Sequence, residues 1–179
     1  MQLEQTPIEG LLIIKPKVFT DERGYFMESY NQKQWFDALG VSFVQDNESL
    51  SKKNTLRGLH FQKPPFAQDK LVRVIRGSVL DVAVDIRHNS PTYGQYFSIV
   101  LSDINKKQLF IPKGFAHGFL SLENDTVFAY KCSEYYHAAS EDSLRWNDSD
   151  LAIEWNIIDP ILSEKDSVAK NFATFNSPF

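Results

Sequence analysis

The chain has 179 residues, of which 42% are hydrophobic and 13% aromatic, and it carries a formal net charge of −4. This composition predicts one globular domain over residues 1–179 with much aromatic packing, and it excludes a disordered chain. The acidic balance provides no basic surface of the size that duplex nucleic acid requires, so we expect no nucleic-acid partner.

The sequence predicts no membrane segment and no disulfide. The apolar run from Leu11 to Ile14 is far shorter than the roughly 20 residues that span a bilayer. The first residues lack the basic region and long apolar run of a secretory signal. A single cysteine, Cys132, cannot form a disulfide within the chain. We therefore expect a soluble, cytoplasmic protein without a membrane partner.

Alternating apolar and polar side chains predict strands through the middle of the chain. Between residues 80 and 86 the large aliphatic side chains fall on one face, and Asp81 falls on the other. Residues 71–75 form a preceding strand, and the Arg-Gly-Ser sequence at 76–78 predicts a tight hairpin turn between the two. Short strands separated by turns indicate an all-β sandwich or barrel. Further strands are predicted over 96–101, 107–111, 115–122 and 126–133.

Two short helices are predicted against this β background. Asn31 is a suitable N-cap and Gly40 a suitable stop for a helix over residues 32–39. Near the end of the chain, Ser163 and Asp166 form the ends of a capping box that precedes a second, shorter helix.

The segment from Thr55 to Gln62 carries the first chemical signal. Arg57 and His60 stand there among apolar neighbours, and Lys70 follows eight residues after Gln62. Because charged groups in an apolar strand are costly to bury, this arrangement predicts the wall of a pocket. His60 could bind a metal, transfer a proton or simply pack.

A second segment, Pro112–Phe119, resembles one half-motif of the cupin superfamily, a group of jelly-roll proteins that bind small molecules. In metal-binding cupins, the other half-motif supplies two histidines one residue apart and a glutamate. Here the second of those histidines is Gln62, which is a poor ligand for a transition metal. We therefore expect a metal-free site. A weak metal site built from two histidines and Glu28 or Asp166, as in a cupin oxygenase or isomerase, is the alternative.

Six blocks of sequence follow one another along the chain: Arg23–Glu28, Gln45–Ser49, Leu56–Gln62, Pro112–Phe119, Ala129–Cys132 and Ser163–Asp166. Together they resemble the nucleotide-sugar 3,5-epimerases of deoxysugar synthesis, in particular those of dTDP-L-rhamnose biosynthesis. The resemblance covers essentially the whole chain. It implies a cupin-like antiparallel β jelly roll with a few short flanking helices, a dTDP-sugar substrate, and no cofactor.

The implied reaction inverts C3 and C5 on either side of the C4 ketone of dTDP-4-keto-6-deoxyglucose. It needs a base that removes an α-proton, a donor for the enolate oxygen and an acid on the opposite face. By resemblance, His60 is the base, Tyr130 the acid and Lys70 the cation near the C4 oxygen. Asp166 would pair with His60, fix its tautomer and stabilise its protonated form.

Other polar positions suit a nucleotide diphosphate sugar. Arg23, Arg57 and Lys165 are cations that could bind phosphate oxygens, and an arginine can do so through two hydrogen bonds. Gln45 and Asn47 share one face of a strand and present amide donors and acceptors.

The resemblance adds Glu28, His117 and Glu141 as substrate contacts, and Tyr136 as a ring stacked near the sugar or the base. His117 could instead be a core histidine. Glu141 lies in a polar stretch and could be a solvated surface charge.

Each proposed catalytic residue also has a purely structural explanation. His60 could be a hydrogen-bonded core histidine, and Lys70 could extend from the end of an inward face to solvent. Tyr130 could be an ordinary buried tyrosine of an aromatic-rich barrel. Asp166 could serve only its capping box. The convergence of base, cation and acid on one predicted mouth favours catalysis.

One geometric conflict arises between Arg57 and His60. They are three residues apart, so in a regular strand their side chains face opposite sides. If both line the pocket, the strand must bulge or twist between them, and Gly58 is the position where this is easiest.

Two other enzymatic or binding functions compete with the 3,5-epimerase. One is an epimerase that acts at a single carbon, or on a related dTDP- or CDP-linked deoxysugar. The other is a non-catalytic jelly-roll module that binds a sugar nucleotide. The family resemblance also implies a homodimer with N-terminal strands exchanged between subunits.

Overall fold

The computed structural model describes all residues from 1 to 179 and builds them from thirteen strands and two short α-helices. The strands are β1 (Gln2–Gln5), β2 (Leu12–Lys15), β3 (Val18–Asp21), β4 (Gly24–Met27), β5 (Gln45–Ser51), β6 (Leu56–Gln62), β7 (Lys70–Arg76), β8 (Ser78–Asp85), β9 (Tyr96–Ser102), β10 (Gln108–Ile111), β11 (Phe115–Ser121), β12 (Thr126–Cys132) and β13 (Glu141–Ser143). The helices are α1 (Gln32–Leu39) and α2 (Glu164–Ser167). The predicted all-β class is confirmed.

Two antiparallel sheets face each other across the core. One has six strands in the order β1-β2-β10-β7-β12-β5, and the other has five in the order β13-β6-β11-β8-β9. Strands β3 and β4 form a separate two-stranded hairpin outside both sheets. Consecutive strands often lie in different sheets, which is the connectivity of a jelly roll.

The predicted hairpin at residues 76–78 is wrong, because β7 and β8 belong to different sheets. The turn instead passes the chain from one sheet to the other at Gly77, whose φ is +80°. A β-carbon there would lie 2.6 Å from Oγ1 of Thr126, so the turn also needs the small residue for space. Strand alternation and a tight turn predict two neighbouring strands, but they do not specify whether those strands pair.

The largest apolar cluster lies between the two sheets and includes Val72 and Val74 of β7 and Phe128 of β12. A second cluster covers the outer face of the five-stranded sheet, where Val82 and Val84 pack against the C-terminal segment. The space between the sheets is therefore lined by the opposite face of β8, which carries Asp81 and Ala83. The alternation predicts that Asp81 and the aliphatic side chains face opposite sides, but not which side faces this space.

Both predicted helices are confirmed with their caps. The Asn31 side chain accepts a hydrogen bond from the Gln34 amide, and Gly40 adopts the left-handed conformation with a φ of 69°. Ser163 accepts a hydrogen bond from the backbone of Asp166 at the start of α2. Neither helix is long and apolar enough to cross a lipid bilayer.

Candidate active site

A cavity of about 860 Å³ lies between the sheets, and a smaller one of about 260 Å³ adjoins it. Their walls share His60, Lys70 and Tyr130, so the two form one continuous site. The larger cavity is also lined by the predicted residues Asn47, Arg57, His117, Lys165 and Asp166, and the smaller by Gln45, Asn47, Tyr136 and Glu141.

His60 and Asp166 form a hydrogen-bonded pair on the cavity wall. Nε2 of His60 lies 2.5 Å from Oδ1 of Asp166, and the side chains are 29% and 3% exposed. Burial acts to raise the pKa of Asp166, but hydrogen bonds from His60 and Ser163 and the nearby imidazole charge outweigh it, and the pKa is lowered. An ionised carboxylate only accepts hydrogen bonds, so Nε2 is the donor and Nδ1 remains for the cavity.

Helix capping and pairing with His60 use different atoms of Asp166. The backbone amide of Asp166 donates to Oγ of Ser163 at 3.2 Å, while the carboxylate bonds to the imidazole. The capping box therefore does not replace the interaction with His60. The cap instead fixes the start of α2 and so places the carboxylate against the ring.

Tyr130 and Lys70 approach from the sheet opposite His60. Tyr130 belongs to β12 and Lys70 to β7 of the six-stranded sheet, whereas His60 belongs to β6 of the other. Nζ of Lys70 lies 3.4 Å from the carbonyl oxygen of His60, so the side chain crosses the interior and does not extend to bulk solvent. Burial lowers the pKa of Lys70 and raises the pKa of Tyr130.

A bulge in β6 brings Arg57 and His60 to the same cavity. His60 pairs with His117 of β11, but Arg57 pairs with Phe119, so three residue steps on β6 match two on β11. Gly58 has a φ of +132°, and a β-carbon there would lie 2.5 Å from the α-carbon of Gly118. The predicted irregularity at Gly58 is confirmed, and glycine is required for both conformation and space.

Arg57 is only partly held by the protein. Its Nε donates to Oγ of Ser51 and one terminal nitrogen donates to the carbonyl oxygen of Leu50, each at 3.2 Å. These two bonds orient the guanidinium beside the cavity and leave its remaining N–H groups for an anionic ligand.

A chain of hydrogen bonds lines the mouth of the smaller cavity. The Tyr136 amide donates to Gln45, whose Nε2 donates to Oδ1 of Asn47 at 3.0 Å, and Asn47 donates to Sγ of Cys132 at 3.6 Å. Because both the oxygen and the nitrogen of each amide are hydrogen-bonded, the orientation of Gln45 and Asn47 is set before any ligand binds.

Glu141 lies in this mouth and is not simply a solvated surface charge. It forms an ion pair with Lys165 and accepts a hydrogen bond from the Tyr136 hydroxyl at 3.0 Å. Burial acts to raise the pKa of Glu141, but Lys165 and Tyr136 outweigh it and lower the pKa.

Gln62 uses its whole side chain for structure. Its Nε2 donates to the carbonyl oxygens of Phe66 and Tyr135, and its Oε1 accepts from the amide of His137 at 2.7 Å. The amide is therefore occupied by backbone partners. The chain holds no group of three His, Cys, Asp or Glu side chains arranged to bind a metal ion.

Arg23 and Glu28 lie away from the cavity within the single chain. Arg23 sits at the turn of the β3–β4 hairpin, is 85% exposed, and pairs with Asp21 at 2.5 Å. Glu28 lines a small separate cleft beside Phe26 and Trp35. Among the predicted site residues, these two substrate contacts are the ones that the fold does not bring to the shared cavity.

The sequence reasoning missed Asp81 as part of the site. Both of its carboxylate oxygens lie near Nε2 of His117, at 3.1 and 3.0 Å. The sequence carries no clear signal for this role, because Asp81 shares its face of the strand with Asp85, whereas the large aliphatic side chains lie on the other face.

Comparison with known proteins agrees with the fold. The family model of dTDP-4-dehydrorhamnose 3,5-epimerase matches residues 5–174. The enzyme of that name from Salmonella typhimurium is 55% identical over 168 residues, which is 92% of each chain. The crystal structure of the Elizabethkingia anophelis enzyme superposes with a TM-score of 0.91 at 50% identity and covers 97% of each chain.

A second crystal structure is that of a dTDP-6-deoxy-D-glucose-3,5-epimerase from Legionella pneumophila in complex with dTDP-4-keto-L-rhamnose. It has a TM-score of 0.93 at 49% identity and covers 98% of this chain and 94% of its own. Sequence and architecture thus agree over nearly the full length of this chain, which belongs to the dTDP-4-dehydrorhamnose 3,5-epimerase family.

Proposed function

We propose that the chain inverts C3 and C5 of dTDP-4-dehydro-6-deoxy-D-glucose and so produces dTDP-4-dehydro-L-rhamnose for dTDP-L-rhamnose synthesis. One observation carries the proposal beyond family membership. His60, paired with Asp166, and Tyr130 project into one cavity from opposite sheets, with Lys70 beside them. Inversion at carbon requires a base and an acid on opposite faces of the ring.

The reaction begins when Nδ1 of His60 takes a proton from a carbon next to the ketone. The electrons of the broken C–H bond form a double bond to C4, and the C4 oxygen becomes an enolate oxygen. Asp166 stabilises the imidazolium that results, because its carboxylate accepts the hydrogen bond from Nε2. A positioned base of this kind typically contributes roughly 10²–10⁴-fold.

Lys70 stabilises the enolate. Its ammonium is partly desolvated, so its interaction with the charge that develops on the C4 oxygen is stronger than in water. Loss of one such donor typically costs roughly 2.7–4 kcal/mol of transition-state stabilisation.

Tyr130 then protonates the carbon from the other face, and the C4 ketone re-forms. Because burial raises the pKa of Tyr130, the phenol is held protonated until the carbanion requires a proton. The same cycle at the second carbon completes the double inversion. The tyrosinate and imidazolium return to their starting states by proton exchange with solvent.

The diphosphate and the base are assigned to the mouth of the site. Arg57 keeps free N–H groups beside the larger cavity, and Lys165 lies close to it. The oriented amides of Gln45 and Asn47 and the ring of Tyr136 offer hydrogen bonds and a stacking surface to the nucleotide.

The homodimer supplies the remaining contacts in this proposal. The β3–β4 hairpin carries Arg23 and ends before Glu28, and its aromatic residues Phe19, Tyr25 and Phe26 are more than half exposed. Exposed aromatic side chains on a small two-stranded hairpin favour burial against another chain. We assign the hairpin of each subunit to the cavity of the other, and we place the protein in the cytoplasm, where its one unpaired cysteine is stable.

Deuterium incorporation tests the function directly. The protein is incubated with dTDP-4-dehydro-6-deoxy-D-glucose in D₂O, and the sugar is examined by NMR and mass spectrometry. Deuterium at both C3 and C5, with inversion, supports the proposal. Deuterium at one carbon identifies a single-carbon epimerase, and binding of the sugar nucleotide without any exchange identifies a non-catalytic module. His60→Ala is the control for exchange that does not depend on the enzyme.

A further inference from the structure

A second histidine–carboxylate pair faces the same cavity as His60 and Asp166. His117 of β11 lies two residues along from Phe119, which pairs in register with Asp81 of β8, so the two side chains are diagonal neighbours on the inner face. Nε2 of His117 lies 3.1 and 3.0 Å from the two carboxylate oxygens. Asp81 is fully buried and the His117 side chain is 8% exposed.

Stability of the fold does not explain this pair. Asp81 forms no ion pair with lysine or arginine, and His117 is its only side-chain hydrogen-bond partner. A buried charge held by one imidazole typically adds little to stability compared with apolar side chains of the same size. Several inward positions next to the pair are apolar, among them Ala83, Phe119 and Phe128.

The carboxylate determines which nitrogen of His117 carries the proton. A carboxylate accepts hydrogen bonds, so Nε2 must donate to Asp81, and Nδ1 of the neutral ring is then an acceptor. Burial lowers the pKa of His117 in spite of Asp81, with Lys70 and His60 also acting to lower it, which favours the neutral ring. Nδ1 has no hydrogen-bond partner in the chain, and His117 lines the larger cavity.

The structure assigns Asp81 as a positioning residue that fixes His117 in the Nε2–H tautomer, so that Nδ1 accepts a hydrogen bond from a hydroxyl group of the sugar ring. This inference rests on the proposed function for the identity of the ligand. The cavity then contains a donor for the C4 oxygen in Lys70 and an acceptor for a neighbouring hydroxyl in His117. A sugar without that hydroxyl would leave the acceptor unpaired, so the pair contributes to substrate specificity.

The tautomer can be measured without any activity. In protein labelled with ¹⁵N-histidine, the imidazole nitrogen shifts and their couplings to ring protons distinguish the two neutral forms. The spectrum of His117→Gln identifies the signals of His117 among the four histidines. We expect wild-type His117 to be protonated at Nε2 only. Protonation at Nδ1, or a charged ring at neutral pH, would overturn the inference even if the epimerase function stands.

Kinetics of Asp81→Asn test the consequence for the sugar. An asparagine can donate to Nε2 and so reverse the tautomer, and we expect kcat/KM for the dTDP-sugar to fall roughly 10–100-fold, the range for an unsatisfied buried polar group. The affinity for dTDP, which has no sugar at this site, should be unchanged. Asp148→Asn is the matched control, because Asp148 is also buried but bonds only to backbone amides outside the cavity.

Two results of the kinetic experiment would overturn the inference. One is an Asp81→Asn variant with wild-type kcat/KM. The other is a variant that loses dTDP affinity and thermal stability together, since Asp81 would then only support the fold. Failure of the proposed function can be told apart from failure of this inference. In the first case the wild-type protein would exchange no deuterium with the dTDP-sugar, but the tautomer of His117 could still be measured.

Discussion

His60 and His117 lie directly opposite each other on β6 and β11, and Nε2 of each ring donates a hydrogen bond to a different buried aspartate. The two imidazoles therefore present the same ring nitrogen to one cavity but with different access to water. His60 is more than a quarter exposed, whereas His117 is nearly enclosed. This difference suits His60 to a charged, proton-carrying intermediate and His117 to a neutral ring.

Asp166→Asn should separate catalysis from helix capping. The backbone amide at position 166 can still donate to Ser163 in this variant, so α2 should remain folded, but a side-chain amide stabilises the imidazolium of His60 far less than a carboxylate. We expect kcat to fall by roughly 10²-fold or more while dTDP affinity is retained. Steady-state kinetics and calorimetry measure the two quantities. Glu164→Gln, on the same helix, is the control, and a near-normal kcat in Asp166→Asn would contradict the pairing role.

Tyr130→Phe should uncouple proton exchange from inversion. The ring can still pack against Phe128, but no acid remains on the face opposite His60. We expect inversion to fall roughly 10²–10⁴-fold, while His60 continues to remove the α-proton and return deuterium to the same face. NMR in D₂O follows both processes in one sample. Equal loss of exchange and inversion would argue against Tyr130 as the acid, and Tyr93→Phe, outside the cavity, serves as the reference variant.

Gly58→Ala should damage both stability and activity. A methyl group there would overlap Gly118, and the backbone conformation is one that side chains rarely adopt. We expect a loss of roughly 2–4 kcal/mol in the free energy of unfolding, measured by denaturant titration.

Gly40→Ala is the control for that experiment, because Gly40 also has a positive φ, of +69°, but no heavy atom within 4 Å of the place that the methyl group would take. This substitution introduces backbone strain without steric overlap, and it should lower the free energy of unfolding by roughly 1–2 kcal/mol. Equal effects of the two substitutions would mean that the close approach of β6 to β11 is unimportant.

Acid stability should depend on Asp85. Burial alone would raise the pKa of this carboxyl group, but hydrogen bonds from Arg87, Ser90 and Thr92 outweigh it and lower the pKa from 3.8 to about 2. A lowered pKa in the folded state stabilises the protein above pH 3.8, and this contribution is lost as the pH falls towards 2. The shift corresponds to about 2 kcal/mol.

We therefore expect Asp85→Asn to be less stable than wild type by about 2 kcal/mol at pH 7. The difference should narrow between about pH 4 and pH 2, as measured by urea denaturation at several pH values. Asp150→Asn, at an exposed position, controls for the loss of one negative charge. A difference that stays constant over this pH range would show that the ionised carboxylate is not the stabilising form.

Subunit mixing tests whether the β3–β4 hairpin acts on the other subunit. Arg23→Ala and His60→Ala are each prepared as inactive or impaired homodimers and then mixed after mild denaturation. If Arg23 acts across the interface, a mixed dimer contains one site with both substitutions and one intact site. We expect recovery of roughly a quarter of wild-type activity from random pairing. No recovery would place Arg23 in the cavity of its own subunit or outside the site.

Local features of the fold could be read from the sequence where a single residue determines the backbone. The α1 helix follows from Asn31 and Gly40 because caps act within one turn. The irregularity at Gly58 followed from the spacing of Arg57 and His60. Side chains three residues apart face opposite sides of a regular strand, so both can line one cavity only if the strand is interrupted between them.

Which distant strands and side chains pair with each other was harder to predict from the sequence. The turn at Gly77 predicted a hairpin, yet the chain changes sheets there, because turn residues do not encode which strand completes the ladder. Asp81 was not assigned a role, since its partner His117 lies 36 residues away and only the register of β8 and β11 brings them together.

The three backbone hydrogen bonds of Gln62 have a consequence for how this jelly roll can change. The side-chain amide of Gln62 holds the chain on both sides of Tyr136, because it donates to the carbonyl oxygen of Tyr135 and accepts from the backbone amide of His137. A histidine at position 62 would supply the imidazole that metal-binding cupins use, but it would release the loop that carries Tyr136 and its bond to Glu141. A substitution at position 62 that adds a metal ligand would therefore also remove the hydrogen bonds that hold Tyr136 at the mouth of the smaller cavity.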